Sequence, residues 1–303
     1  MGELKIVAEG LKFPEGPAVM PDGSVVVTEI AGGQLSRLAP DGKLTVAVKT
    51  GGGPNGLAIG PDGAWYVCNN GGNEYKPRHF VASGPAKDYN GGYIQRVDPR
   101  TGEVKKLYTH CGERRLSSPN DIVFDAHGGF YFTDIGRKFH EHRDNGGLYY
   151  ASIDGNRIVP VSYPVATPNG VGLSPDGKVL YVAECDAARL WAFDIVSPGV
   201  IEKLPFPSPN GGRLVCGLPG FQRFDSLAVL ANGDVCVATL MTGCLTVISP
   251  SGEYRQIKMP DMYPTNLCFG RPDMKTAWIT LSATGRLGML QWDSPGLKLH
   301  YQA

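Results

Sequence analysis

The sequence predicts an all-β chain folded as a six-bladed β-propeller. Three observations carry this. A short phrase recurs six times, five copies are followed by a turn and a second apolar strand, and convincing amphipathic helix segments are absent. The copies read FPEGPAV, GPNGLAI, SPNDIVF, TPNGVGL, RFDSLAV and YPTNLCF. Aligned on their apolar residues, they share one position, held by Glu15, Asn55, Asn120, Asn169, Asp225 and Thr265, with spacings of 40, 65, 49, 56 and 40 residues. Repeats of roughly this period with about four strands each are the signature of a propeller.

Each repeat resolves into the same elements in order. The phrase itself is the inner strand. A turn then leads into MPDGSVVVTE, GPDGAWYVCNN, DAHGGFYFTD, SPDGKVLYVAE or LANGDVCVAT, with RPDMKTAWITL as a variant. A third strand follows in GGQLSRLA, GGYIQRVD, GGLYYASI, AARLWAFD, TGCLTVIS and TGRLGMLQW. A fourth is expected in KLTVAVKT, EVKKLYTH, NRIVPVSY, VIEKLPF, EYRQIKM and LKLHYQ. The opening KIVAEGLKFPEG aligns with LTVAVKTGGGPNG, so the N-terminal strand adds an outer strand to the last blade and closes the ring. Closure leaves few exposed sheet edges. One propeller over residues 1–303 accounts for the whole sequence.

Composition agrees. The 41 Gly and 24 Pro fall mostly in PDG, GG and PN punctuation between short apolar runs, the pattern of many short strands and tight turns. Twenty-nine acidic and 29 basic residues give no net charge, which argues against nucleic-acid or membrane partners. No apolar run approaches the ~20 residues of a membrane helix. MGELKIVAEG has no basic region followed by an apolar stretch, so a secretory signal is not expected. The seven cysteines have no CxxC spacing, and Cys68, Cys236 and Cys268 lie in apolar strand runs. They read as buried reduced thiols in a cytoplasmic protein.

Strand order assigns the faces. If inner strands start at the top, second strands return there and the PDG turns lie at the bottom. Residues 71–92 and 136–147 separate second from third strands, and 205–223 lead into an inner strand. All three insertions are expected on the top face, above the shared positions, as a lid over a small-molecule pocket. Insertions gathered on one face of a repeat protein mark its binding face.

Glu15, Asn169 and Asp225 offer two carboxylates and an amide oxygen, and Asn120 a further amide oxygen. An all-oxygen set suits one hard divalent cation, Ca2+, Mg2+ or Mn2+, with Zn2+ or Fe2+ also possible. Three or four protein ligands leave positions for water and substrate. For any single copy, an Asx turn or cap is an alternative. That alternative serves Asn55 and Thr265 well and Glu15 poorly. Second strands end at the top with Glu29, Asn69, Asn70, Asp134, Glu184 and Asp186, which are either supports for the site or solvent-facing caps. Asp134 and Glu184 are the substrate-contact candidates because their blades supply Asn120 and Asn169. His140 and His142 lack a third ligand at metal spacing. Either they are solvated, or they line a lid with Tyr75, Lys76, Arg78 and Arg143, whose basic character suits a carboxylate-bearing substrate or product.

FPEGP, SPNDIVFD, TPNGVGLSPDG, RFDSLAV and TNLCFG resemble the SMP-30/gluconolactonase/regucalcin-like family of six-bladed propellers, over essentially the whole chain. The resemblance implies one catalytic divalent metal held by Glu15, Asn169 and Asp225, a substrate contact at Asn120, and hydrolysis of sugar lactones. A few relatives cleave organophosphates. In the animal regucalcin branch an Arg stands two residues before the Asn, where this chain has Ser118. The expected function is therefore a metal-dependent hydrolase opening a small lactone to its hydroxy acid, with Asp225 taking the proton of the attacking water. The expected substrate wall is Asn120, Asp134, Glu184, His140 and Arg143. Other readings are a phosphoester hydrolase, a sugar-acid hydratase or isomerase, or a non-catalytic metal- or partner-binding propeller. A monomer or small homo-oligomer is expected.

Overall fold

A computed structural model describes residues 2–75 and 82–302 of the chain. Among these there is no helix, so none long and apolar enough to cross a membrane. Six antiparallel sheets make six blades. The inner strands are Pro14–Val19, Pro54–Ile59, Pro119–Phe124, Pro168–Leu173, Arg223–Val229 and Pro264–Gly270. Each opens on one recurring phrase.

These strands share one irregularity. In all six the register shifts at or beside the shared position: between Glu15 and Ala18, Pro54 and Leu57, Pro119 and Ile122, Pro168 and Val171, Phe224 and Leu227, and Pro264 and Asn266. Such a bulge re-aims a side chain that regular pleating would send into the sheet's face. Close approach between blades adds a second constraint. A Cβ on Gly16 would come within 2.4 Å of the Asn55 carbonyl oxygen, and one on Gly56 within 2.6 Å of that of Asn120. Glycine is therefore required after Glu15 and Asn55, where these inner strands converge.

Threonines of the second strands fix the neighbouring inner strand. Thr28 Oγ1 donates to the carbonyl of Asn55 at 2.7 Å, and Thr133 Oγ1 to that of Asn169 at 2.5 Å. Both bonds cross a blade boundary and hold the backbone of a shared position. Between blades the sheet faces pack apolar side chains, for example Tyr66, Phe124 and Phe130. All seven cysteines are free and buried, as expected.

The N-terminal strand Lys5–Ala8 pairs with Arg286–Gln291 and closes the ring as predicted. Two outer strands differ from the expectation. LKLHYQ is not a strand: with the edge of the last blade taken by Lys5–Ala8, residues 297–302 turn under the channel. There Tyr301 packs edge-on against Phe124 at 5.8 Å, and Gln302 Nε2 donates to the Phe269 carbonyl at 2.6 Å. In the fourth blade VIEKLPF pairs only through Val200–Ile201, and Arg213–Gly217 forms most of the edge. Residues 202–212 thus leave the outer edge in mid-strand. Only the connection between Gly217 and Arg223 reaches the top, which corrects the placement of the third insertion. The described parts of the first connection, 70–75 and 82–92, and the connection 135–145 leave a second strand and enter a third at the top.

Candidate functional site

All six shared side chains meet at the top of the channel and line one cavity of about 760 Å³. All are buried, Glu15 at 2% exposure and Asp225 at 8%. Glu15 Oε2 accepts from its neighbour's backbone, Gly16 N, at 3.0 Å and from Asn266 Nδ2 at 2.9 Å. Asn169 hydrogen-bonds the Asp225 carboxylate. Thr265 Oγ1 is bonded to the Pro14 carbonyl, Thr280 Oγ1 and Ser282 Oγ, and its hydroxyl also helps to hold the Glu15 carboxylate.

The amide oxygens stand out. Oδ1 of Asn55, of Asn120 and of Asn169 are all buried without a hydrogen-bond partner among the described residues. An unpaired buried polar atom costs about 1–3 kcal/mol, and three in one cluster call for a ligand. The carboxylates say the same. Burial pushes Glu15 up to about 7, against the hydrogen bonds from Asn266 and Gly16. Burial, and then the Glu15 charge, push Asp225 well above the usual carboxylate range. Like charges in a dry site favour protonation unless a cation joins them. Two carboxylates and three amide oxygens fit a hard divalent cation. Among the described residues no three His, Cys, Asp or Glu side chains cluster as a metal site, so a site here needs these amides.

The profile of the SMP-30/gluconolactonase/LRE-like region matches residues 13–283. The chain belongs to this family. The family's lactonase drp35 of Staphylococcus saprophyticus is 31% identical over 260 residues, covering 85% of this chain and 72% of that protein. The gluconolactonase of Zymomonas mobilis is 24% identical over 297 residues, covering 88% and 76%. Among solved structures, a gluconolactonase of Xanthomonas campestris superposes with a TM-score of 0.75 at 21% identity, covering 96% of this chain and 89% of that one. A regucalcin of Agrobacterium tumefaciens, described as calcium-binding, gives 0.76 at 17% identity over 98% of both chains. The structural likenesses establish the propeller fold.

On this family scaffold, Glu15, Asn120, Asn169 and Asp225 come together as the sequence predicts, and His140, Arg143 and Tyr75 line the same cavity. Lys76 and Arg78 lie outside the described residues. Asp134 and Glu184 stand behind the wall with their oxygens committed. Asp134 accepts from the backbone of Ser117, Ser118 and Gly136 at 2.6, 2.7 and 3.0 Å, and so shapes the loop under Asn120. Glu184 accepts from Trp191 Nε1 at 2.7 Å and lies 3.6 Å from Arg189. Glu29 is likewise held by Lys12 N, Gln34 and Ser36. These three position the site's surroundings. His142 stacks on Phe139 at 4.5 Å.

Sequence reasoning set Asn55 aside as a turn residue. Its Oδ1 makes no turn hydrogen bond and has the same orphaned state as its two counterparts. The repeat register alone could have kept it. Asp121 and Asn266 were missed. Each follows a shared position where three other copies have glycine, and Asp121 fills the room that Gly56 leaves. Asp121 is pushed up to about 7 by burial and then by Glu15, against bonds from Val171 N and Ile122 N. Arg137 and Arg223, both on the cavity wall, carry no repeat signal.

Proposed function

We propose that this chain is a divalent-metal-dependent lactonase. The observation that carries the reading is the cluster of three unpartnered amide oxygens beside two buried, protonation-prone carboxylates in one open cavity. Its relatives named lactonase and gluconolactonase support the reaction, and a structural neighbour described as calcium-binding supports the cation.

Glu15, Asn169 and Asp225 hold the ion, with Asn120 and Asn55 supplying further oxygens or facing the substrate. When bound, a divalent cation supplies Lewis acidity for a carbonyl and for developing oxyanion charge. The protein's own part is positioning and proton transfer. Asn266 and Gly16 N orient Glu15. Asp225 accepts the proton of the water attacking the lactone carbonyl carbon and returns it to the ring oxygen as the acyl C–O bond breaks. The product is a hydroxy acid. The top loops shield the site, with Phe13, Ile30 and Tyr263 as apolar lining. Acid release in a pH-stat over a panel of lactones, with and without chelator, tests this. Chelator-sensitive release from at least one lactone is expected. No release from any lactone with metal supplied overturns it.

A further inference from the structure

The metal ligands account for the carboxylates deep in the cavity. The charge higher on the wall has the opposite sign. Besides Glu15 and Asp225, the Arg, Lys, Asp and Glu side chains among the described residues lining it are Arg137, Lys138, Arg143, Arg223 and Glu74. Asp186 serves both Arg143, at 2.7 Å, and Arg223, at 3.6 Å. With a divalent ion balancing Glu15 and Asp225, the wall has an excess of positive charge.

Arg137 is the member that solvent does not screen. It is 5% exposed, whereas Lys138 and Glu74 are exposed. Its guanidinium is held by neutral groups: the side-chain oxygen of Asn73, the carbonyls of Asn70 and Gly72, and the Tyr89 ring at 4.3 Å. Its Nε–H has no partner, and among the described residues no carboxylate lies within ion-pair distance. The nearby Asp134 spends its oxygens on backbone N–H groups. Asp134 is within electrostatic reach of Arg137 but makes no direct ion pair with it, and a buried guanidinium without a contacting carboxylate leaves its N–H groups open to an anionic ligand. Tyr75, which lines the same cavity, is within electrostatic reach of both Arg137 and Glu15.

We propose that Arg137 is the centre of an anion subsite, and that the lactone opened here carries a carboxylate or phosphate substituent. This rests on the lactonase reading. The guanidinium would read the substituent while the ring carbonyl sits over the oxygen cluster.

The test compares three lactones of the same ring, one with a carboxylate, one with a phosphate and one with a neutral hydroxymethyl substituent. The metal-loaded enzyme should favour at least one anionic lactone over the neutral one by tenfold or more in kcat/KM. That preference should fall at least tenfold in Arg137→Met and be partly restored in Arg137→Lys. Equal or better use of the neutral lactone overturns the subsite and leaves the lactonase reading standing. An unchanged anionic preference in Arg137→Met also overturns it. If no lactone is hydrolysed, the lactonase reading fails and binding decides the subsite. Calorimetry on the wild-type protein should then show the carboxylated or phosphorylated hydroxy acid binding at least tenfold tighter than the neutral one, weakening with salt. Equal binding overturns the proposal. The same wild-type titration decides the matter if the Arg137 variants do not fold.

Discussion

Asn266 donates its side-chain amide to Glu15 Oε2 at 2.9 Å, joining the last blade to the first. The Asn266 Oδ1 in turn accepts from Leu267 N at 2.7 Å, so the amide is held from both ends. The bond orients a proposed metal ligand from the neighbouring blade. Groups that orient a ligand in this way typically carry about 10–100-fold in metal affinity. Asn266→Leu should weaken Ca2+ binding within that range by calorimetry while the far-ultraviolet spectrum stays that of the wild type.

The orphaned oxygen of Asn55 gives a second prediction. Among the described residues nothing bonds to it, so Asn55→Ala loses no hydrogen bond there. Its melting temperature without metal should stay close to that of the wild type. If the oxygen faces the ion, metal affinity should fall roughly tenfold, about 1.4 kcal/mol. Parallel thermal melts with chelator and with Ca2+ separate the two effects. Equal metal-induced stabilisation in variant and wild type would remove Asn55 from the set.

Glu15 and Asp121 are both raised to about 7. A carboxylate raised in the folded state binds protons more tightly there than in the unfolded chain. Its contribution to stability is therefore complete below the ordinary carboxylate range and is lost as pH rises through about 7. For Glu15 the loss is of order 3 kcal/mol. The metal-free protein should melt at a higher temperature at pH 5 than at pH 8. Ca2+ should remove that difference, since the ion binds the deprotonated form. A metal-free melting temperature that does not fall between these pH values would contradict the burial argument.

Much of the fold was legible because each inner strand carries its own phrase and its own turn. The outer strands were harder to place. They lie half in solvent, so their side chains show little alternation, and VIEKLPF has the composition of a strand although Arg213–Gly217 forms most of that edge. The tail LKLHYQ had the composition of a strand, but the N-terminal segment already occupied the edge it would have paired with. The site was legible to the extent that it repeats. Glu15, Asn120, Asn169 and Asp225 were found by position. Asp134 and Glu184 were placed at the right height, but strand order does not show which backbone groups consume a carboxylate. Arg137 lies in a unique loop, and its burial depends on contacts with Asn70, Gly72 and Asn73 from the preceding blade.

Tyr301 tests the corrected tail. Its ring closes the underside of the channel against Phe124, far from the top cavity. Tyr301→Ala should cost about 1–3 kcal/mol of stability in denaturant unfolding. Ca2+ affinity should not change.

The central claim is that Asp225 both holds a divalent cation and takes part in lactone opening. Its most direct measurement is a Ca2+ titration of chelator-treated wild type and Asp225→Ala, with acid release from lactones followed on the same samples. The wild type should bind one ion per chain and regain turnover in proportion, while Asp225→Ala binds weakly and releases no acid. Wild-type rates or wild-type Ca2+ affinity in Asp225→Ala would contradict the assignment.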